Sequence, residues 1–212
     1  MKQQSFFILV GVLLMVLASV IGYAVMPPAP STSAADTPIR ATAGIEGLGG
    51  SWTLTDHDGK TVTDKDVTGT YRLMFFGFTY CPDVCPTELK RLAIVLDMLG
   101  DDAQKIRPLF VTVDPERDTP AVLKEYLARF DAGVTGLTGT IPQIEHMEKI
   151  FKVYSAKTEN EEYTEYMVNH SALLYFIGPD DNVIHLFHSK DTPEDMANFI
   201  RETLRGDSVK SE

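Results

Sequence analysis

The two cysteines of this 212-residue chain, Cys81 and Cys85, lie four residues apart in Thr79-Tyr80-Cys81-Pro82-Asp83-Val84-Cys85-Pro86. A thiol pair at such spacing closes a disulfide, cycles as a redox couple or binds a metal. A helix beginning near Pro82 puts both sulfurs on one side of its first turn. Two sulfurs from one turn can bite a single soft ion, and thiolates select Cu(I) or Zn. Free N–H groups at a helix N-terminus also stabilise a thiolate. Pro82 and Pro86 bracket the loop and restrict its backbone, which favours a preformed bite. Thioredoxin-type reductases carry Cys-x-x-Cys; the extra residue here widens the ring and weakens a reading of pure dithiol exchange. A purely structural disulfide is also a weak reading, because so short a loop yields less than the roughly 3 kcal/mol expected of a loop of about 15 residues.

Two sulfurs leave the coordination of copper incomplete, and the chain offers five histidines. His57 sits among acids in a turn and reads as solvated. His146 follows Glu145 on an expected helix and reads as exposed or locally satisfied. His185 and His188 are three apart on an expected strand, so they point to opposite faces and cannot both line one site. His170 differs, because it directly precedes the apolar run Ser171–Ile177. If that strand runs antiparallel to the one before the cysteines, the loop entering it lies beside the cysteine turn. His170 is then either a third ligand or a cap of that strand. Met167 is a conceivable thioether ligand, with packing on the core as its plainer role.

These residues need elements to carry them. Trp52–Thr55 and Lys60–Thr63 flank Asp58-Gly59 and predict a hairpin. Tyr71–Phe78 is a continuous apolar run suited to a central strand that leads straight into the cysteine turn. Leu89, Leu92, Ala93, Val95, Leu96 and Leu99 recur at helical spacing, and Gly100 ends the pattern. Pro108–Val113 is a second buried strand, and Thr119-Pro120 opens a second helix. A third helix is expected over Ile141–Val153. Gly178–Asn182 forms a turn into a returning strand, Val183–Phe187, and Thr192-Pro193 starts a last helix with acids in its first turn. A helix between two strands demands a parallel pair with a right-handed crossover. The expected fold is α/β: a thioredoxin-like mixed sheet with helices on both faces, with extra elements at the front and before the third core strand.

Ahead of this domain, Gln3–Ala35 carries no charged side chain, and Phe6–Met26 is 21 residues of almost wholly apolar sequence. About 20 helical residues span a bilayer core, whereas a cleaved signal has a shorter apolar region ending in small residues. Here the run ends in Val25-Met26-Pro27-Pro28. The expected organisation is a short cytoplasmic N-terminus (1–5), a transmembrane anchor (6–26) and a Pro/Ala/Ser/Thr-rich linker (27–45). A domain over 46–206 and a polar tail (207–212) follow. Lys2 and the amino terminus put the short side in the cytoplasm by the positive-inside rule and the domain outside it. There thiols tend to oxidise, so an unshielded pair needs a purpose. A formal net charge of −11 argues against nucleic-acid binding.

The segments Phe76–Leu89, Phe110–Pro120 (FVTVDPERDTP), Val168-Asn169-His170-Ser171 and Ile177–Asp180 together resemble the Sco/SenC family, across roughly Gly47–Leu204. The resemblance implies a thioredoxin-like fold and one copper ion, Cu(I) or Cu(II), held by Cys81, Cys85 and His170. It implies delivery of copper to the dinuclear copper centre of cytochrome c oxidase, or reduction of the cysteines of that centre as a thiol–disulfide oxidoreductase. The implied partners are the oxidase subunit carrying the centre, a copper donor protein and the inner membrane. The family often has Asp before the ligand histidine, where this chain has Asn169. An amide there supplies a hydrogen bond without charge and bears on copper affinity and redox poise. Asp114–Asp118 is a family landmark with a plain reading as strand end plus helix cap. A peroxidase of the same superfamily would need an activating Arg or a Gln/Trp partner, and the single Trp, Trp52, lies in the leading hairpin.

Overall fold

The computed structural model describes residues 45–158 and 166–210, with backbone alone for 207–210. The expected membrane segment (6–26) and all of the linker but Ile45 lie outside the described residues. Among the described residues no helix is long and apolar enough to cross a membrane.

The leading hairpin is β1 (Thr53–Asp56) and β2 (Thr61–Thr63), paired antiparallel with Thr53 opposite Thr63. The apolar run becomes β3 (Tyr71–Gly77), buried at every position as its composition requires. Its one charge, Arg72, is accommodated by Asp181 Oδ1 at 2.5 Å and the Gly178 carbonyl, both in the turn before the returning strand. Next come α1 (Val84–Leu99), β4 (Ile106–Thr112) and α2 (Pro120–Leu127). Leu89, Leu92, Val95 and Leu99 are the buried stripe of α1, and Gly100 follows it with φ +59°.

The chain continues through β5 (Thr135–Thr138), α3 (Ile141–Phe151), β6 (Ser155–Thr158) and β7 (Met167–His170). It ends with β8 (Leu174–Ile177), β9 (Val183–Phe187) and α4 (Pro193–Lys210), the last running into the stretch expected as a polar tail. Seven strands form one mixed sheet in the order β2-β1-β5-β4-β3-β8-β9, and β6-β7 form a separate pair. The β3–β4–β5 core is parallel, while β8 runs antiparallel to β3 with Leu174 opposite Phe75.

Strand alternation assigns the layers. Phe76 and Tyr175 meet Phe151 of α3 on one face. On the other, Phe110 meets Tyr126 of α2, Phe176 meets Phe199 of α4, and Cys85 of α1 lies over Gly77. Helices therefore cover both faces of a thioredoxin-like sheet.

Four elements depart from expectation. β5 is Thr-Gly-Leu-Thr, with no apolar run to announce it; Gly136 is there because a Cβ would stand 2.6 Å from Leu127 Cδ1. β6 and β7 pair with each other outside the main sheet, so no buried period-2 face marks them. α3 stops at Phe151, two residues short, because Lys152 takes the left-handed conformation at φ +53°.

Candidate metal centre

β3 delivers the chain to the cysteine turn at the carboxyl edge of the sheet. Cys81 N–H donates to the Phe78 carbonyl at 3.3 Å, closing a tight turn. The helix starts at Val84, two residues later than expected, so Cys81 lies upstream of it and only Cys85 is helical. The sulfurs still converge, because Cys81 Sγ accepts a hydrogen bond from Cys85 N–H at 3.4 Å, at the start of the helix. Cys85 is fully buried, and Gly77 lacks a side chain where its sulfur sits: a Cβ would be 2.8 Å from Sγ. Both thiols are free.

The third donor arrives from the far end of the domain. His170 closes β7, opposite Ser155, and its Nε2 lies 3.4 Å from Cys85 Sγ. Cys81 Sγ, Cys85 Sγ and a ring nitrogen of His170 all lie within 4.8 Å of one another. His170 Nδ1 is 3.0 Å from the Ser171 carbonyl. A carbonyl only accepts, so Nδ1 carries the proton and Nε2 keeps its lone pair toward the sulfurs. Phe75 and Phe78 stand edge-on to the imidazole, at 6.1 and 5.8 Å between centroids.

The two thiols are electrostatically unequal. Hydrogen bonding from Cys85 pulls the Cys81 thiol far below its usual range, to about 4, with help from the backbone of Cys85 and Asp83. The Cys85 thiol is pushed up, first because it donates to Cys81 and then by its burial. The metal-free site thus holds one thiolate and one thiol.

Sequence reasoning overlooked what holds these parts. Asp114 and Asp118 are both completely buried. The cap of α2 is Thr119, which accepts from Val122 N–H, and not Asp118. The Asp118 carboxylate instead accepts Thr79 N–H at 3.0 Å, the Thr79 hydroxyl at 2.6 Å and the Thr112 hydroxyl at 2.7 Å. Burial nevertheless raises its pKa. Asp114 accepts Arg117 Nε at 2.5 Å and the Tyr166 hydroxyl at 2.7 Å. Arg117 stacks 3.7 Å over the Tyr166 ring and 4.6 Å over exposed Tyr80. Two acids four apart beyond a buried strand were the available signal.

The remaining candidates stand elsewhere. His57 is half-buried rather than solvated, its Nδ1 accepting from Gly136 N–H at 2.9 Å. His146 is exposed and reaches the Ser51 carbonyl. His185 packs on Phe187 and Phe199, and burial lowers its pKa. His188 is exposed, beside Asp191. Met167 packs against the core. Asn169 is exposed opposite Ala156, so the orientation of the neighbouring imidazole comes from the Ser171 carbonyl.

Fold and site together define a thioredoxin-like domain with a two-cysteine, one-histidine centre for a soft metal at the sheet edge. The SCO1/SenC family model matches residues 40–205, and the chain belongs to that family. It is 36% identical over 166 residues to the human mitochondrial SCO1 homologue, covering 77% of this chain and 55% of that protein. Copper-bound ScoI of Bradyrhizobium japonicum superposes with a TM-score of 0.68 at 42% identity, over 74% of this chain and 99% of the other. BsSco, described as carrying a disulfide switch and as a member of the Sco family of cytochrome c oxidase assembly proteins, gives a TM-score of 0.61 at 26% identity, over 76% and 96%. The chain spans about half to two-thirds of the length of the curated relatives it matches. With two sulfurs and one free imidazole nitrogen, the cluster fits one copper ion.

Proposed function

We propose that this chain is a membrane-anchored copper carrier that supplies the dinuclear copper centre of cytochrome c oxidase, with Cys81, Cys85 and His170 as ligands of one ion. The observation that carries the reading is the convergence of three donors, one of them an imidazole whose other nitrogen is already engaged. The copper-bound relative and the oxidase-assembly relative support it. Residues 6–26 form the anchor and 27–45 the tether. They hold the domain (46–206) outside the inner membrane, N-terminus in the cytoplasm. The partners are a copper donor protein and the oxidase subunit bearing the copper centre.

Copper is cargo here, and transfer is ligand exchange. A thiolate of the target forms a bond to Cu(I) as one ligand of the carrier leaves, so the metal keeps its oxidation state. Cys85 recovers its proton as copper departs. The half-exposed Cys81 gives an incoming thiolate access. The test is titration of the reduced chain with Cu(I). About one equivalent should bind per site of this donor set, and His170→Ala should bind more weakly. Undiminished affinity in that variant refutes the ligand assignment.

The unequal thiols favour a second reading, a thiol–disulfide oxidoreductase acting on the cysteines of the same centre. Cys81 thiolate would attack a target disulfide, and Cys85 would then release the reduced target as the Cys81–Cys85 disulfide forms. Two electrons pass to the target and the protein is left oxidised. This reading gives His170 no ligand role. Oxidase assembly that survives His170→Ala favours reduction; assembly that fails with the dithiol intact favours copper delivery.

A further inference from the structure

The hydrogen bonds of the loop between β4 and α2 reach both halves of the site, at Thr79 ahead of Cys81 and at Tyr166 ahead of His170. We infer that Asp118 and Asp114 are positioning residues of the metal centre, Asp118 setting the cysteine turn and Asp114, through Tyr166, setting the histidine strand. The inference rests on reading Cys81, Cys85 and His170 as one site.

A buried carboxylate is unfavourable unless its oxygens are well bonded. Here two lie within five residues, both with no exposure. Their partners differ. Asp118 takes both the N–H and the hydroxyl of Thr79, two residues before Cys81 and next to Phe78, whose carbonyl closes the turn on Cys81 N–H. Displacing Thr79 therefore displaces Cys81 Sγ. Asp114 takes the hydroxyl of Tyr166, the residue that enters β7, while Arg117 holds Asp114 through Nε and the Tyr166 carbonyl through Nη1 at 3.0 Å. Three residues further on from Met167, the same strand presents His170.

The two arms share a joint. The Thr112 hydroxyl accepts Asp114 N–H at 2.9 Å and donates to Asp118, and Asp118 N–H donates to the Asp114 carbonyl at 3.0 Å. A single short segment thus gauges the separation of sulfur from nitrogen, which a metal site tolerates to only about 0.5 Å. Among the described residues β7 pairs only with β6, and the main sheet joins the two ligand sets by backbone through the β3–β8 pairing; the loop adds side-chain bonds to each of them.

The test uses the full-length chain in mild detergent. In the reduced, metal-free protein, Thr79→Val and Asp118→Ala should change the rate at which iodoacetamide alkylates Cys81, while Tyr166→Phe leaves it alone. Asp118→Asn, which keeps an acceptor for Thr79 N–H, should restore part of the rate. With Cu(II) bound the pattern inverts: Tyr166→Phe and Asp114→Asn should alter the imidazole nitrogen coupling in the electron paramagnetic resonance spectrum, and Thr79→Val should preserve it. Each should weaken Cu(I) binding by about 10–100-fold, as for partners that orient ligands. Equal disturbance of both readouts by every variant, or none by any, overturns the inference. Thr79→Val nearly keeps side-chain shape, so it reports even if Asp118→Ala does not fold. A wild-type Cu(II) spectrum with no nitrogen coupling overturns the ligand reading itself, and the histidine arm with it.

Discussion

The two halves of the centre are built to different standards. The cysteine half stands on β3, which is buried throughout, and on α1, with Cys85 wholly enclosed and Gly77 bare to admit its sulfur. The histidine half stands on β7, one of two four-residue strands paired only with each other. Such a pair is marginal unless packed on something larger. Here Val168, the edge-on rings of Phe75 and Phe78, and the Tyr166–Asp114–Arg117 cluster hold it. The contrast is one of support, a dithiol fixed in the core against an imidazole on a lighter strand pair; on the copper-carrier reading it becomes a division of labour in which the first retains the ion and the second yields to a target.

The sharpest way to break that comparison is at the cysteines. Cys85→Ser should reduce Cu(I) affinity by more than the roughly 100-fold upper range for residues that merely orient ligands, whereas His170→Ala should fall short of that loss. A larger loss from His170→Ala, read by competition with a Cu(I) chelator, would invert the division of labour.

Gly77→Ala comes next. Its Cβ would press on Cys85 Sγ at 2.8 Å and Phe110 at 2.9 Å. It should destabilise by about 1–3 kcal/mol, the range for overpacked cores, and displace Cys85. Chemical denaturation and copper titration of the same sample check both effects.

The acid–base inequality gives a smaller, signed effect. Cys81 is held as thiolate with a pKa of about 4, and Cys85 keeps its proton through neutral pH. Copper must displace that one proton, so Cu(I) affinity should rise with pH, with a slope of about one proton per ion between roughly pH 7.5 and 8.5, above the ordinary imidazole range. A slope near two would mean that both thiols are protonated without metal.

The smallest effect is dynamic. Amides of β6 and β7 should exchange by local opening well below the global unfolding free energy, and those of β3 near it. Copper should slow exchange in β7 more than in β3. Equal protection of the two regions would remove the contrast between a rigid and a yielding half.

Much of this was legible along the chain. The unbroken run Tyr71–Phe78 announces a central strand because burial on both faces leaves no polar alternation, and the Leu89–Leu99 stripe announces the helix after it. The pair Cys81/Cys85 is visible because its spacing is local. β5 was not legible, because four residues with a glycine carry too little periodicity, nor were β6 and β7, whose partners are only each other. Asp114 and Asp118 read as a helix cap because caps are local, whereas their true partners Thr79 and Tyr166 lie 39 and 52 residues away.

By itself, then, the amino-acid sequence determined the donor types, the close spacing of the dithiol and the α/β order, since each depends on neighbours a few residues apart. Only the tertiary structure decided that His170 meets Cys85 across 85 positions, which thiol keeps the proton, and which buried acids hold each half. Those outcomes depend on desolvation and on hydrogen bonds across elements, which exist only once β8 has folded back along β3 and brought the histidine strand to the cysteine turn.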